Sequence, residues 1–297
     1  MKKNTIFRGT GVAIVTPMKA DGSVNYEKYR ELVEWQIENG TDAIIACGTT
    51  GESSTLNHEE HTSVIRATVE QVKGRIPVIA GTGSNETSYC IELSEEAKRL
   101  KADALLVVTP YYNKTSQRGL IAHYNTIADQ VRMPLILYNV PSRTGVDIQP
   151  ETYRELSKNP YIVAVKEANG NMSSIVRTAA LCGDSLDLYS GNDDQVVPML
   201  AMGGKGVISV MSNILPKETD QICERWFAGD TAGSLAMQLA LSDMAKALFS
   251  DVNPIPIKEA MNLIGMDVGE CRLPLVGMSD SGREALAAVL KKHGLMA

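Results

Sequence analysis

Strand-like and helix-like segments alternate eight times along most of this 297-residue chain. Each strand-like segment is a short, mostly apolar run, as in strands that are buried on both faces. Each segment between two runs has helical periodicity and is long enough to connect parallel strands. The predicted strands are residues 11–15, 42–46, 77–81, 104–108, 135–138, 161–165, 186–189 and 206–210. The predicted helices between them are residues 26–38, 58–72, 87–100, 119–131, 150–156, 173–181 and 193–201.

This alternation predicts an α/β protein whose core is a closed (β/α)8 TIM barrel. The alternative is a doubly wound open sheet, which would carry a GxGxxG turn after its first strand. Gly9-Thr10-Gly11 precedes the first predicted strand, and Gly81-Thr82-Gly83 lacks the third glycine. Neither segment is a dinucleotide-binding fingerprint, so the barrel is favoured.

Strand signals stop after Met211, and the rest of the chain is predicted to be helical. The predicted helices are residues 217–227, 232–249, 257–264 and 279–292, with a proline-rich break at Asn253-Pro254-Ile255-Pro256. We therefore predict a barrel at residues 1–225 and an all-helical C-terminal appendage at residues 226–297.

The charge distribution argues against a nucleic-acid or membrane partner. The formal net charge is −6 at pH 7 and the lysines and arginines are scattered, whereas both partners require clustered basic residues. No window approaches the roughly 20 apolar residues of a membrane span. We therefore expect a cytoplasmic protein.

The spacing of cysteines and histidines predicts no metal site. The five cysteines are widely spaced without a CxxC pair, and we expect them to be small buried residues in a reducing compartment. His58-Glu59-Glu60-His61 differs from the HExxH motif and has no evident third ligand.

A lysine, Lys166, ends the apolar run of the sixth predicted strand. Burial disfavours the ammonium form of a lysine, so a lysine at the rim of an apolar core can act as a neutral nucleophile. The alternative is a structural side chain that reaches solvent or pairs with Glu167.

Other polar residues follow the predicted strands at the end where a barrel of this type has its active site. They are Thr49 and Thr50 after the second strand, Tyr111 and Tyr112 after the fourth, Tyr138 and Arg143 after the fifth, and the segment from Gly191 after the seventh. Taken singly, the threonines could form an ordinary turn, the tyrosines could plug the barrel, and Arg143 could pair with Asp147. Together they predict a pocket for a carbonyl compound that carries a carboxylate.

The same segments resemble those of the dihydrodipicolinate (4-hydroxy-tetrahydrodipicolinate) synthase family, which belongs to the pyruvate-dependent class I aldolases. The resemblance is collinear over residues 7–294. It rests on GTTGE at 48–52, GTG at 81–83, PYYNK at 110–114, YNVPSRTG at 138–145, VKEA at 165–168 and NPIPIK at 253–258. It implies a lyase of the diaminopimelate route to lysine that condenses pyruvate with aspartate 4-semialdehyde and needs no cofactor.

The resemblance also implies catalytic roles. Lys166 would form a Schiff base with pyruvate, and the resulting enamine would attack the aldehyde. Tyr138, Thr49 and Tyr112 would relay protons, since hydroxyl groups can both donate and accept. Tyr112 would reach in from a neighbouring subunit, so the enzyme would be at least a dimer. The family is usually a homotetramer built as a dimer of dimers.

Substrate-binding roles follow in the same way. Thr50 would hold the carboxylate of pyruvate, and Arg143 would bind the carboxylate of the semialdehyde with its planar guanidinium. Gly191 and Ile208 match positions whose backbone lines the pyruvate site.

Many members of the family are inhibited by lysine at a dimer interface. The positions that line this effector site in sensitive members are Ser53, Ser54, His58, His61, Asn85 and Tyr111. Tyr89 stands where those members carry a carboxylate, and a neutral phenol cannot pair with the amino group of lysine. Glu86 is near in sequence but would point in another direction on a helix. The sequence therefore leaves inhibition by lysine open.

Two alternative functions stay open at this point. Another pyruvate-dependent aldolase, such as a lyase for a 2-keto-3-deoxy sugar acid or for N-acetylneuraminate, would share Lys166 and Tyr138. It would need hydroxyl-binding residues where this chain has Arg143. A catalytically silent barrel that binds a small molecule would have no need of the lysine, tyrosines and threonines together.

Overall fold

Eight parallel strands form a closed barrel in the computed structural model, which describes residues 3–296. Each strand pairs with the next along the chain, and the last pairs with the first. The predicted (β/α)8 fold is confirmed. The strands are β1 (Gly9–Ala13), β2 (Ala43–Ala46), β3 (Val78–Gly81), β4 (Ala104–Val108), β5 (Leu135–Asn139), β6 (Ile162–Glu167), β7 (Asp187–Ser190) and β8 (Gly206–Ser209).

The first strand begins two residues earlier than predicted, because glycines at the barrel base are part of the ladder. Gly9 pairs with Gly206 of β8. A Cβ on Gly206 would lie 1.8 Å from the carbonyl oxygen of Gly9. The two backbones approach so closely that only glycine fits there.

Side chains alternate between the barrel interior and the layer beneath the helices. On β6, Ala164 packs with the interior cluster while Val165 packs with the outer core. This alternation is the two-residue period of a strand. Phe7 and Tyr189 stack inside the barrel with their ring centroids 4.4 Å apart.

Helices follow the strands and cover the barrel. They are α1 (Tyr26–Glu38), α2 (His58–Val72), α3 (Thr87–Arg99), α4 (Gln117–Val131), α5 (Pro141–Thr144), α6 (Pro150–Leu156), α7 (Met172–Cys182) and α8 (Val196–Ala201). The short helix α5 was not predicted. Its proline is at the first turn, and Gly145 ends it with a φ of +68°, which are the usual start and stop residues of a helix.

The C-terminal part contains five helices rather than the four predicted. They are α9 (Pro216–Phe227), α10 (Thr231–Ala240), α11 (Ser242–Ala247), α12 (Ile255–Leu263) and α13 (Asp280–Lys292). The single helix predicted at residues 232–249 was wrong, since α10 and α11 are separate on either side of Leu241. The proposed boundary between residues 225 and 226 falls inside α9, which packs against both β1 and α10. The two-domain division stays a prediction.

A buried ion pair joins α12 to the loop after β2. The Nζ atom of Lys258 lies 2.8 Å from Oε1 of Glu52, and both side chains are at most 2% exposed. Lys258 also donates hydrogen bonds to the carbonyl oxygens of Thr16 and Glu270. With its donors satisfied in this way, the lysine fixes the appendage against the carboxyl end of the barrel.

Four of the five cysteines are buried, as predicted, while Cys271 is half-buried. No helix among residues 3–296 is both long and apolar enough to cross a membrane.

Candidate active site

Lys166 and Tyr138 lie side by side at the carboxyl ends of β6 and β5. They are paired in the register of the two strands. Nζ of Lys166 lies 4.4 Å from the centroid of the Tyr138 ring. Lys166 is two residues after Ala164, so the strand period directs it into the barrel interior. The exposed fractions of the two side chains are only 5% and 6%, so Lys166 does not reach solvent.

Glu167 faces away from Lys166 and does not pair with it. Its carboxylate accepts hydrogen bonds from the Tyr153 hydroxyl at 2.7 Å and from Nδ2 of Asn139 at 2.9 Å. The backbone N–H of Asn169 also donates to it at 2.9 Å. Burial raises the pKa of Glu167 to about 7 despite these hydrogen bonds. The alternative of a Lys166–Glu167 ion pair is therefore not what the structure shows.

A buried carboxylate that was not predicted from the sequence, Asp193, lies near Lys166. It follows β7 and accepts hydrogen bonds from the backbone N–H groups of Val210 and Met211 at 3.1 and 2.9 Å. Burial raises the pKa of Asp193, while hydrogen bonds from Ser209 and from the backbone N–H groups and, to the smallest extent, the interaction with Lys166 oppose that shift. The sequence signal that could identify Asp193 is its position just after a predicted barrel strand, two residues after Gly191.

The loop after β2 places Thr49 and Thr50 at the barrel mouth. Thr49 and Tyr138 line one small cavity of about 30 Å³. Thr50 is buried, and its Oγ1 accepts a hydrogen bond from Nδ2 of Asn253 at 3.0 Å. Glu52 ends the turn with a φ of +56°, and its carboxylate is held by Lys258.

Arg143 lies on α5, is exposed, and points across the mouth to the segment before α12. Its Nη2 donates to the carbonyl oxygen of Asn253 at 3.0 Å. Oδ1 of Asp147 accepts instead from Nδ2 of Asn139 at 2.7 Å. The pairing of Arg143 with Asp147 that the sequence allowed is thus replaced by a contact to Asn253.

Tyr112 is not brought into the site by its own chain. It is 92% exposed and has a φ of +69°, a backbone conformation that is rare for a bulky residue. It lines neither of the cavities that contain Thr49. Such strain at an exposed aromatic residue is typical of a functional or interface position.

Of the two predicted backbone positions, Gly191 lies beside the end of β6 and Ile208 lies in the barrel interior. The N–H of Gly191 donates to the carbonyl oxygen of Glu167 at 2.7 Å. A Cβ on Gly191 would lie 2.8 Å from Cβ of Ala168, so no larger residue fits without movement. Ile208 is fully buried in the interior cluster that also contains Tyr138.

Most of the predicted effector residues share a cavity with the predicted active site. This cavity has a volume of about 330 Å³. Four of the predicted effector residues line it, namely Ser53, Ser54, His61 and Tyr111. Two of the predicted active-site residues, Thr49 and Arg143, line it as well. His58 and Asn85 are not on its wall. Asn85 accepts a hydrogen bond from Asn113 through its carbonyl oxygen.

No carboxylate among residues 3–296 lines this cavity, whereas Tyr89 does. Glu86 caps the start of α3 and accepts hydrogen bonds from the N–H groups of Ser88 and Tyr89. The Glu86 carboxylate is therefore engaged at the start of α3 and does not line this cavity. Nε2 of His61 is hydrogen bonded to the carbonyl oxygen of Gly81 at 2.7 Å, and burial lowers the pKa of that histidine.

Comparison with known proteins gives one consistent family. Residues 6–293 match the Dihydrodipicolinate synthetase family. A protein of Thermoanaerobacter sp. (strain X514) named 4-hydroxy-tetrahydrodipicolinate synthase is 55% identical over 98% of either chain.

Solved structures of the same kind superpose closely. A monomeric dihydrodipicolinate synthase variant is 44% identical with a TM-score of 0.95, and the match covers 98% of each chain. A dihydrodipicolinate synthase from Cyanidioschyzon merolae, solved with lysine bound, is 38% identical with a TM-score of 0.96. That match covers 99% of this chain and 100% of the other.

Proposed function

Because the chain belongs to the dihydrodipicolinate synthetase family, we propose how individual residues of its barrel mouth carry out the family reaction. The predicted family and activity are confirmed. The enzyme is a lyase of the diaminopimelate route to lysine, which condenses pyruvate with aspartate 4-semialdehyde through a Schiff base on a lysine and uses no cofactor. The observation that carries the assignment of residues is the burial of Lys166 beside Tyr138 at the carboxyl end of the barrel.

Lys166 is the imine-forming residue. Its neutral amine attacks the ketone carbon of pyruvate, and loss of water with uptake of one proton from the hydroxyl relay gives a protonated imine. The imine withdraws electrons from C3, so a proton leaves that carbon and an enamine forms. The enamine carbon adds to the aldehyde of the semialdehyde. The amino group of the adduct then attacks the imine carbon, closes the ring and releases Lys166.

A hydroxyl relay moves the protons of these steps. Tyr138 lies against Lys166, and Thr49 lines the same small cavity as Tyr138. Tyr112 of the partner subunit completes the relay. Each hydroxyl can donate one hydrogen bond while it accepts another, which is what transfer in both directions requires.

The two substrate carboxylates bind at separate groups. The Thr50 hydroxyl and backbone bind the carboxylate of pyruvate, and the backbone of Gly191 and Ile208 lines the pyruvate site. Arg143 binds the carboxylate of the semialdehyde, and its exposure at the mouth suits the substrate that enters second.

A polyol substrate fits this site less well than a carboxylate. A sugar-acid or sialic-acid lyase needs groups that bind several hydroxyls, whereas Arg143 offers a charged two-pronged donor. The silent-barrel alternative is disfavoured because Lys166, Tyr138, Thr49 and Thr50 all lie at one end of the barrel.

Subunits share each site in this proposal, so the active form is at least a dimer and the expected assembly is a homotetramer made of two such dimers. The support is the exposure and backbone strain of Tyr112. Exposed apolar side chains such as Leu273 and Val276, 77% and 62% exposed, give further surface that association could cover. The cytoplasmic location predicted from the sequence is part of the same proposal.

Lysine binds to the effector site of this chain with lower affinity than to the site of lysine-sensitive family members. The cavity offers hydroxyls from Ser53, Ser54 and Tyr89 but no carboxylate from residues 3–296. A charge-assisted hydrogen bond to the amino group is therefore missing. Isothermal titration with lysine tests this statement, and saturable binding at micromolar concentrations would contradict it.

The experiment for the proposed function measures Arg143→Ala and Arg143→Lys with both substrates. Loss of the carboxylate-binding group raises KM for the semialdehyde by about tenfold or more, since hydrogen bonds to charged groups contribute about 1.5–3 kcal/mol. Arg143→Lys restores only part of the affinity for the semialdehyde, because a lysine side chain lacks the planar, two-pronged donor of arginine. KM for pyruvate changes little in either variant. Turnover of sugar acids at a rate above that of the semialdehyde would contradict the assignment.

A further inference from the structure

We propose that Asn253 is a positioning residue for both carboxylate-binding groups of the site: its side chain sets the direction in which the Thr50 hydroxyl donates, and its main chain holds the Arg143 guanidinium in place. It lies between α11 and α12, outside the barrel, and is 5% exposed. Its side chain contacts Thr50 and its main chain contacts Arg143. The inference rests on the proposed roles of Thr50, Arg143 and Lys166.

The side-chain contact fixes what the Thr50 hydroxyl can do. A threonine hydroxyl has one proton to donate and two lone pairs that accept. Nδ2 of Asn253 donates to Oγ1 of Thr50 at 3.0 Å, so an oxygen lone pair is used by the amide. The hydroxyl proton is then free to be donated to the carboxylate of pyruvate, which can only accept.

The main-chain contact fixes the Arg143 guanidinium. One of its five N–H groups donates to the carbonyl oxygen of Asn253 at 3.0 Å. An exposed arginine on a four-residue helix would otherwise sample many rotamers, and ordering it would reduce affinity for the substrate. With one edge held, the remaining N–H groups present a preorganised surface to the second carboxylate.

The hydrogen-bonding capacity of the Asn253 side chain is only partly used. A side chain with a purely structural role would have a partner for both its amide nitrogen and its amide oxygen. Oδ1 of Asn253 is buried and has no hydrogen-bond partner among residues 3–296. A buried acceptor without a partner lowers the stability of the fold. The amide is therefore explained by its contact with Thr50 rather than by a contribution to stability.

The segment that carries Asn253 is held rigidly against the loop that carries Thr50. Lys258 of α12 forms the buried ion pair with Glu52, which is two residues after Thr50. The Arg272 N–H donates to the other carboxylate oxygen of Glu52 at 2.9 Å. These contacts join the segment of Asn253 to the loop of Thr50 at further points beside the Asn253–Thr50 hydrogen bond.

The two contacts use different groups of one residue, so substitution of the side chain separates them. Asn253→Ala removes the donor to Thr50 and leaves the carbonyl that holds Arg143. Asn253→Asp has nearly the same shape but can only accept, so the Thr50 hydroxyl donates its hydrogen bond to the new carboxylate instead of to pyruvate. The variant also places a negative charge beside that of pyruvate. Binding of pyruvate is thus affected in preference to binding of the semialdehyde.

The test uses the full-length enzyme and two readouts. The first is the pyruvate concentration at which half of the chains carry a borohydride-reduced adduct on Lys166, which needs no semialdehyde. The second is KM for the semialdehyde in steady-state assays. Asn262→Ala is the matched control, because Asn262 is an α12 residue whose contacts are the carbonyl of Gly269 and the N–H of Val268.

We expect the half-saturating pyruvate concentration to rise about tenfold in Asn253→Ala and further in Asn253→Asp. KM for the semialdehyde should change less than about threefold in Asn253→Ala, and Asn262→Ala should bind pyruvate as the unaltered enzyme does. In a Thr50→Val background the further effect of Asn253→Ala should fall below about twofold, because the hydroxyl that it acts on is gone.

Unchanged pyruvate binding in both Asn253 variants would overturn the proposal, as would independent, multiplicative effects of Thr50→Val and Asn253→Ala. If Asn253→Ala does not fold, the near-isosteric Asn253→Asp gives the same comparison. Absence of any adduct in the unaltered enzyme would instead contradict the proposed role of Lys166, so the two failures are distinguishable.

Discussion

At the scale of single residues, the surroundings of Lys166 suit a positively charged intermediate at its nitrogen. The face of the Tyr138 ring lies 4.4 Å from Nζ, and the buried carboxylate of Asp193 interacts with the same charge. Both favour a positive charge at this position. In the proposed mechanism a protonated imine forms there, so the same groups would stabilise that intermediate.

Tyr89 gives a prediction at this scale. Tyr89 lines the cavity of about 330 Å³ that contains most of the predicted effector residues. Tyr89→Glu places a carboxylate in this cavity, where an incoming lysine can pair with it. We expect lysine to bind about tenfold more tightly, in line with the 1.5–3 kcal/mol of a charge-assisted hydrogen bond, as measured by isothermal titration. Tyr89→Gln is the matched control, because it has the same length without the charge. Equal affinities in the two variants would show that charge at position 89 is not what limits binding.

Some site residues could be predicted from the sequence and others could not. Lys166 and Tyr138 can be predicted as site residues because each is a polar residue at the end of an apolar strand. Asn253 makes its contact with a residue 203 positions away in the chain, and nothing in its local sequence indicates Thr50. Asp193 was missed because an aspartate in a loop is ordinarily exposed, whereas the fold buries this one.

At the scale of secondary-structure elements, the Glu167 carboxyl joins β6 to its neighbours. Asn139 of β5 and Tyr153 of α6 both donate to it. The same contacts fix the end of the strand that presents Lys166 on its other face. Because this carboxyl is buried, its protonation state is linked to the stability of the fold.

The pKa of Glu167 is raised from 4.5 to about 7 by burial, which predicts the sign of a pH dependence. Between these values the folded protein binds more protons at this group than the unfolded chain does, so the free energy of unfolding falls as pH rises. Glu167→Gln mimics the protonated carboxyl group and does not titrate, so its unfolding free energy lacks this pH-dependent contribution. We expect the enzyme to lose about 2–3 kcal/mol relative to the variant between pH 5 and pH 8, since one pKa unit is about 1.4 kcal/mol.

Urea unfolding of both proteins at several pH values measures that difference directly. Parallel curves of unfolding free energy against pH would mean that the carboxyl is ionised in the fold throughout this range.

Element bounds were predicted best where periodicity and termination signals agree. Three helices, α1, α2 and α6, have the predicted bounds, and α2 begins with a capping box between Asn57 and Glu60. The break at Leu241 was missed because neither glycine nor proline marks it. Beyond this break, α11 packs against α13, a contact that the local sequence does not indicate.

At the scale of the whole molecule, the site of one chain is incomplete if Tyr112 acts where the family resemblance places it. The exposed, strained Tyr112 contributes to no cavity with Thr49 in its own chain. A dimer related by a twofold axis would exchange the two tyrosines reciprocally. Association would then be a requirement for activity rather than only a source of stability.

Complementation tests this shared site. We expect inactive Tyr112→Phe and Lys166→Ala chains to regain activity when mixed, because one site of each hybrid dimer has both native residues. Random exchange at equal amounts gives about a quarter of the unaltered activity, since half of the dimers are hybrid and half of their sites are complete.

The matched control mixes Tyr138→Phe with Lys166→Ala. These two residues are supplied by the same chain, so no hybrid site is complete and no activity returns. If subunit exchange is confirmed by native mass spectrometry and the Tyr112 mixture stays inactive, the tyrosine does not act across the interface.

The most direct measurement for the role of Lys166 is to incubate the enzyme with pyruvate, reduce it with borohydride and locate the adduct by mass spectrometry. We expect one reduced pyruvate per chain, attached at Lys166, and none at Lys258, the other buried lysine among residues 3–296, whose donors are engaged by Glu52, Thr16 and Glu270. Failure to find a pyruvate-dependent adduct, or an adduct at a different lysine, would contradict the account of the site.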